Sequence, residues 1–174
     1  MGATETRGPS ATTGDERSVS ARRAAQAGDD FASVLARFAC RTSIADLPAP
    51  VTAAAKANIF DTLACAAAGS SAPAVGDTRG LAIEWGGGPQ ATILAFGDKV
   101  PAHHAAWVNG TMAHARDYDD THDAAVLHAG VSVIPAALAA AELRGGVRGA
   151  EFLAAAVAGL EAICRLGGAA RLRI

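Results

Sequence analysis

The chain has 174 residues, 51% hydrophobic and 18% charged, with a mean hydropathy of +0.22, which suits one buried core and excludes a disordered tail. Fifteen Lys and Arg against 17 Asp and Glu leave a net charge of −2, so there is neither a basic field for nucleic acid nor an acidic tail. Three cysteines, Cys40, Cys65 and Cys164, are widely spaced in apolar contexts with no CxxC pair, which predicts reduced, buried thiols and no redox or zinc centre.

Residues 1–28 are rich in Ser, Thr, Gly and Arg without apolar periodicity, which predicts a flexible leader; they contain no apolar stretch of the secretory type. One domain is expected over 29–174. Phe31, Val34, Leu35, Phe38 and Ala39 keep the spacing of an amphipathic helix, with Asp29 or Asp30 available as N-cap. A second helix starts near Pro50 and runs through Ala55, Ile59 and Leu63 to Gly69. A third covers 75–85 and stops at Gly86-Gly87-Gly88, and residues 91–96 with 99–100 read as a short hairpin around Gly97-Asp98. Pro101 opens a helix to about His114, the polar run DYDDTHD follows, and two helices over 131–143 and 150–166, apolar on most sides, end the pattern. The apolar runs 131–141 and 152–164 are shorter than a bilayer span, and the second contains Glu161, so a cytoplasmic protein without membrane contact is expected. The fold class is all-α: an Ala-rich helical bundle with one small β-hairpin.

All five histidines, His103, His104, His114, His122 and His128, fall in one window, and the same window holds Asp117, Asp119, Asp120 and Asp123. If Asp117 continues the preceding helix, it shares a face with His114 at i, i+3, and Asp120 and Thr121 follow one turn on. A hydroxyl, a carboxylate and an imidazole converging on one pocket suit proton abstraction beside a carboxylate, because histidine titrates near neutral pH. An acidic run of this kind also serves as a solvated loop that caps the next helix. His103 and His104 are expected at the surface or as caps, whereas His128, in an apolar stretch, needs a partner.

Three motif readings compete for these residues. Asp119-Asp120-Thr121-His122-Asp123 spells DDxxD, the magnesium-diphosphate spacing of helical isoprenoid synthases, but no second metal motif follows and 5% aromatics cannot line a carbocation pocket. Asp117-Tyr118-Asp119-Asp120-Thr121 has the DxDxT spacing of aspartyl phosphotransferases, which requires a preceding β-strand where a helix is expected here. A zinc or iron site lacks any HxxE or HExxH spacing, so no metal is expected.

A fourth reading covers more of the chain. WVNG at 107–110, His114, DYDDTH at 117–122, His128-Ala129-Gly130, VIPAALAAAE at 133–142, GAEFLAAAVAGLEAICRLG at 149–167 and the helix at 54–70 resemble the MmgE/PrpD, or 2-methylcitrate dehydratase, family over about 31–168. The resemblance implies a cofactor-independent, usually dimeric enzyme with a large helical domain and a smaller α/β lid. It implies proton transfer beside a carboxylate on small di- and tricarboxylates: dehydration of 2-methylcitrate, decarboxylation of cis-aconitate or epimerisation of iminodisuccinate. By motif position, Asp117, Thr121 and His128 are the expected catalytic residues, and His122, Arg116 and Asp120 the substrate-binding ones; Asn109 is expected to organise a loop.

Two departures stand out. Arg116 occupies a position where an apolar residue is expected, and Arg165-Leu166-Gly167-Gly168 lacks the histidine that some members carry, which weighs against cis-aconitate decarboxylation. Family members are more than twice as long, and their lid residues lie beyond position 174. The expected partners are therefore a small polycarboxylate and either a second copy or a C-terminal half. A catalytically incomplete helical dimerisation module, from a truncated or split gene, is the alternative.

Overall fold

The computed structural model describes residues 30–171, so the leader expected over 1–28 lies outside the described residues. A division into two units falls between Phe38 and Ala39, inside helix α1 (Phe31–Arg41). Asp30 caps that helix, its Oδ1 accepting the Ser33 N–H at 2.6 Å, and no α1 residue is buried. Cys40 is exposed on it, a correction to the buried thiol expected: the apolar spacing that predicts this helix does not cover its face.

In the second unit a 3-10 turn (Ile44–Asp46) carries a Ser43–Asp46 capping box and leads into α2 (Ala49–Gly69). Then come α3 (Pro73–Glu84), strands β1 (Ala91–Thr92) and β2 (Lys99–Val100), α4 (Ala102–His114), α5 (Gly130–Arg144) and α6 (Gly149–Arg171). Proline opens α2 and α3 where a missing N–H is harmless. Helix α4 packs on both α5 and α2, α6 packs on α5 and α2, and α3 and the hairpin cover α4. The main core cluster has twelve buried residues, seven of them alanine, with Val75, Ile93, Val100, Val108 and Met112 supplying most of its bulk. Small side chains let the helices approach closely. At Gly69 the approach is closest: a Cβ there would stand 1.9 Å from the Met112 carbonyl oxygen of α4.

The hairpin is antiparallel, pairing Ala91 with Val100 and Thr92 with Lys99, and it is shorter than the expected 91–96 strand. The chain turns at once after Ile93, whose N–H donates to Asp98 O at 2.8 Å, and passes through a left-handed Ala95 (φ 63°). Buried Asn109 of α4 holds this turn, accepting from Leu94 N–H at 2.8 Å and donating to Thr92 O at 2.9 Å. Arg79 grips the turn from α3 by a two-pronged ion pair to Asp98 at 2.5 and 2.9 Å.

Helix α6 runs past the expected stop at 166. Gly167 lies against Ala125 and Leu127 of the loop between α4 and α5, a tertiary contact that accompanies the extra turns. At this length α6 is, among the described residues, a helix long and apolar enough to cross a membrane by length and composition, contrary to the shorter run expected. In the structure Leu153, Ala154, Ala156 and Ala158 are buried, and Glu161 pairs with Arg165.

Candidate active site

Helix α4 ends at His114, and the chain leaves it through a left-handed Asp117 (φ 55°) whose N–H still donates to His114 O at 3.0 Å. Asp117 is therefore not a helical residue, and the shared helix face expected for it and His114 does not exist. Aspartate tolerates this backbone region better than most side chains. The loop from 115 to 129 is closed by a bridge in which His122 N–H donates to Leu127 O at 2.8 Å.

At the start of α5 the Asp120 carboxylate accepts the Gly130 N–H at 2.9 and 3.3 Å, satisfying one of the orphan donors of a helix N-terminus. Gly130 is required there, since a Cβ would come within 2.5 Å of both Asp120 Oδ1 and Thr62 Oγ1.

The loop folds back so that His114, Asp117, Asp119 and His128 meet. Asp119 is the centre, its side chain fully buried. Both of its oxygens lie 3.1 Å from His114 Nδ1, and one lies 2.9 Å from His128 Nδ1. That last contact is an ion-pair distance outside hydrogen-bond alignment: His128 Nδ1 is buried without a hydrogen-bond partner among the described residues. His128 Nε2 faces Asp117 Oδ1 at 3.9 Å, and the two imidazoles meet edge to face with centroids 4.7 Å apart. His128 thus lies at ion-pair distance from two acids, but the buried Nδ1 lacks the hydrogen-bond partner expected for it. One donor atom from each of the four residues lies within 4.8 Å of the others.

The other expected residues separate from this cluster. Thr121, His122 and Asp120 line a cavity of about 330 Å³ together with Asn58, Glu161 and Cys164 of α2 and α6. The Asn58 Oδ1 there is buried without a partner among the described residues, and His122 Nδ1 accepts from Ala125 N–H at 3.1 Å. Burial, with Glu161 and Asp120 nearby, pushes the Cys164 thiol up, so it is a neutral wall and not a nucleophile. His114 lines a second cavity of about 440 Å³ with Trp107, Thr111 and Ser132. Arg116 turns elsewhere, donating to Ser71 Oγ at 3.3 Å. His103 is exposed as expected, whereas His104, expected at the surface or as a cap, is half-buried against Trp85 with its Nδ1 lacking a hydrogen-bond partner among the described residues.

Asp119 and His114 join the cluster although sequence reasoning, which noted both in the acidic window, placed neither among the expected catalytic or substrate-binding residues. No local spacing signals this, because Asp117 adopts a left-handed backbone and stays exposed while Asp119, two residues on, is buried. A buried carboxylate against an imidazole, with the second ring nitrogen facing another acid, suits acid-base chemistry.

The profile of the MmgE/PrpD N-terminal domain matches residues 33–173. The chain belongs to the MmgE/PrpD family. Among curated relatives of this MmgE/PrpD domain, the cis-aconitate decarboxylase-like protein oryM of Aspergillus oryzae is 32% identical over 130 residues, covering 71% of this chain and 27% of that protein. A cis-aconitate decarboxylase of Aspergillus terreus is 29% identical over 141 residues, covering 79% of this chain and 29% of that protein. The chain therefore spans less than a third of the curated relatives it matches. No solved structure matches it.

Proposed function

We propose that this domain contributes the acid-base part of the active site of a carbon-oxygen or carbon-carbon lyase, or an isomerase, acting in the cytoplasm on a small di- or tricarboxylate without a cofactor. The observation that carries the reading is the Asp119–His128–Asp117 chain, in which a wholly buried carboxylate sits against one nitrogen of an imidazole and leaves the other facing Asp117. Family membership and relatives that are themselves cis-aconitate decarboxylases support it.

In the dehydrating direction His128 Nε2 takes the proton from carbon beside a substrate carboxylate. The released electron pair forms the double bond, and hydroxide leaves as water with a proton from an acid. In decarboxylation a protonated imidazole returns a proton to the carbon that CO2 leaves. Thr121 and His122 hydrogen-bond a substrate carboxylate from the neighbouring cavity. Arg116 and Asp120 belong to the proposed substrate-binding set; Asp120 lines the same cavity and caps Gly130 N–H, and Arg116 donates to Ser71 Oγ at 3.3 Å.

A specific observation favours a second reading, a helical module without activity of its own: among the described residues no Lys or Arg lines the two cavities or joins the cluster. Substrate carboxylates need such cations. The test is NMR of 2-methylcitrate and of cis-aconitate with the purified chain, alone and mixed with a polypeptide carrying the remainder of a relative. Turnover that disappears in Asp117→Asn and His128→Ala is expected. No turnover in any combination sinks the lyase reading and leaves the module.

A further inference from the structure

We propose that His114, Asp117, Asp119 and His128 together bind one divalent transition-metal ion of the zinc class. The inference stands on the geometry of the cluster and not on the lyase reading. A bound ion takes the imidazole lone pairs that proton transfer requires, so it acts as an inhibitor and not as a cofactor.

Four observations converge. The donors come from fixed places: His114 is the last residue of α4, His128 lies two residues before α5, and Asp119 is wholly buried between them. Taking one donor atom from each residue, the four lie within 4.8 Å of one another, and Asp119 is 3.1 Å from His114 Nδ1 and 2.9 Å from His128 Nδ1, near the spacing of about 3.3–3.6 Å expected around a tetrahedral ion with bonds of about 2.0–2.2 Å. Charge favours a cation: Asp119, wholly buried, and Asp117, at the exposed mouth, bring two carboxylates together, and among the described residues their only ion-pair partners are the two imidazoles. A divalent ion neutralises both. Finally, His128 Nδ1 is buried without a hydrogen bond, a nitrogen with a lone pair or proton left unsatisfied inside the cluster.

The donor types set the selectivity. Two imidazoles and two carboxylates suit zinc, cobalt or nickel, whereas magnesium and calcium prefer all-oxygen shells. The absence of HxxE or HExxH spacing concealed the site, because its ligands converge through a loop and not along one helix.

The test is a titration of the purified chain with Co2+, read by visible d–d absorption, followed by displacement with Zn2+ and metal analysis of the dialysed protein. One saturable ion per chain is expected, displaced by Zn2+ and untouched by excess Mg2+, in the wild type and in the His103→Ala/His104→Ala double variant. His128→Ala is expected to lose the signal. Asp117→Asn, at a side chain 80% exposed and so without a packing role, is expected to weaken binding at least about tenfold. Far-UV circular dichroism checks that each variant keeps its helices; if His128→Ala unfolds, Asp117→Asn and His114→Ala decide. No saturable binding, unchanged affinity in those two variants, or loss of binding in the His103/His104 double variant overturns the proposal.

Discussion

Asp119 is the one acid of the 117–123 run whose side chain is wholly buried, and its partners are two imidazoles. Removing it takes the carboxylate from between His114 Nδ1 and the buried His128 Nδ1, and a buried polar atom left unpaired is expensive. Asp119→Ala is therefore expected to lower stability by about 3 kcal/mol in chemical denaturation, while Asp117→Ala, at a side chain 80% exposed, changes it by less than about 0.5 kcal/mol. Equal effects at the two positions would deny Asp119 its place at the centre. At this scale the sequence makes Asp117 and His128 legible through their motif, and it shows that His128 needs a partner. Which acid of four comes nearest to it is decided by how the loop folds back, and identity alone does not distinguish a buried aspartate from its solvated neighbours.

Among the elements, the hairpin depends most on a single distant side chain. Asn109 of α4 satisfies Leu94 N–H and Thr92 O at once, so Asn109→Ala strands two backbone groups. A loss of about 2–3 kcal/mol is expected, with hydrogen exchange accelerated at Leu94 before the helices. Protection unchanged at Leu94 would show that the turn holds itself. The same hairpin has a pH dependence. Hydrogen bonding to Arg79 holds the Asp98 carboxyl below its ordinary range. Burial raises that of Glu142, but hydrogen bonds from Lys99 and Thr92 outweigh it and the net shift is downward. Both groups bind protons less readily folded than unfolded. Their contribution is thus complete above the ordinary carboxylate range and fades as pH falls through it toward the lowered values. Acid titration of stability is expected to be shallower in Asp98→Asn than in wild type, and an identical slope would contradict the assignment. Helix positions were legible from apolar spacing and from Pro and Gly punctuation, as α2 and α4 show. The short β1 and the long α6 were not, because Asn109 and the Gly167 contact are tertiary effects that no local pattern carries.

For the whole molecule, large apolar side chains remain on the surface: Phe60, Trp85, Trp107 and Val126 are all exposed, and the two tryptophans stack with centroids 5.4 Å apart. The exposed, stacked pair Trp85 and Trp107 is an apolar surface feature of the kind that marks a contact site. The chain is therefore proposed to self-associate or to bind the remainder of its family's architecture, and sedimentation at rising concentration is expected to show a dimer or larger species; a monomer throughout would remove that proposal. The all-α class, legible from composition and periodicity, places the acid-base cluster at the ends of α4 and α5, where a 15-residue loop links two helices that are packed against each other. The most direct measurement of the central claim is an NMR titration of the chain with cis-aconitate, observed at the imidazole carbons. Saturable shifts at His128 and His122, absent at His103 and His104, are expected. Shifts that are uniform across all five histidines, or confined to His103 and His104, would contradict a carboxylate site in this loop.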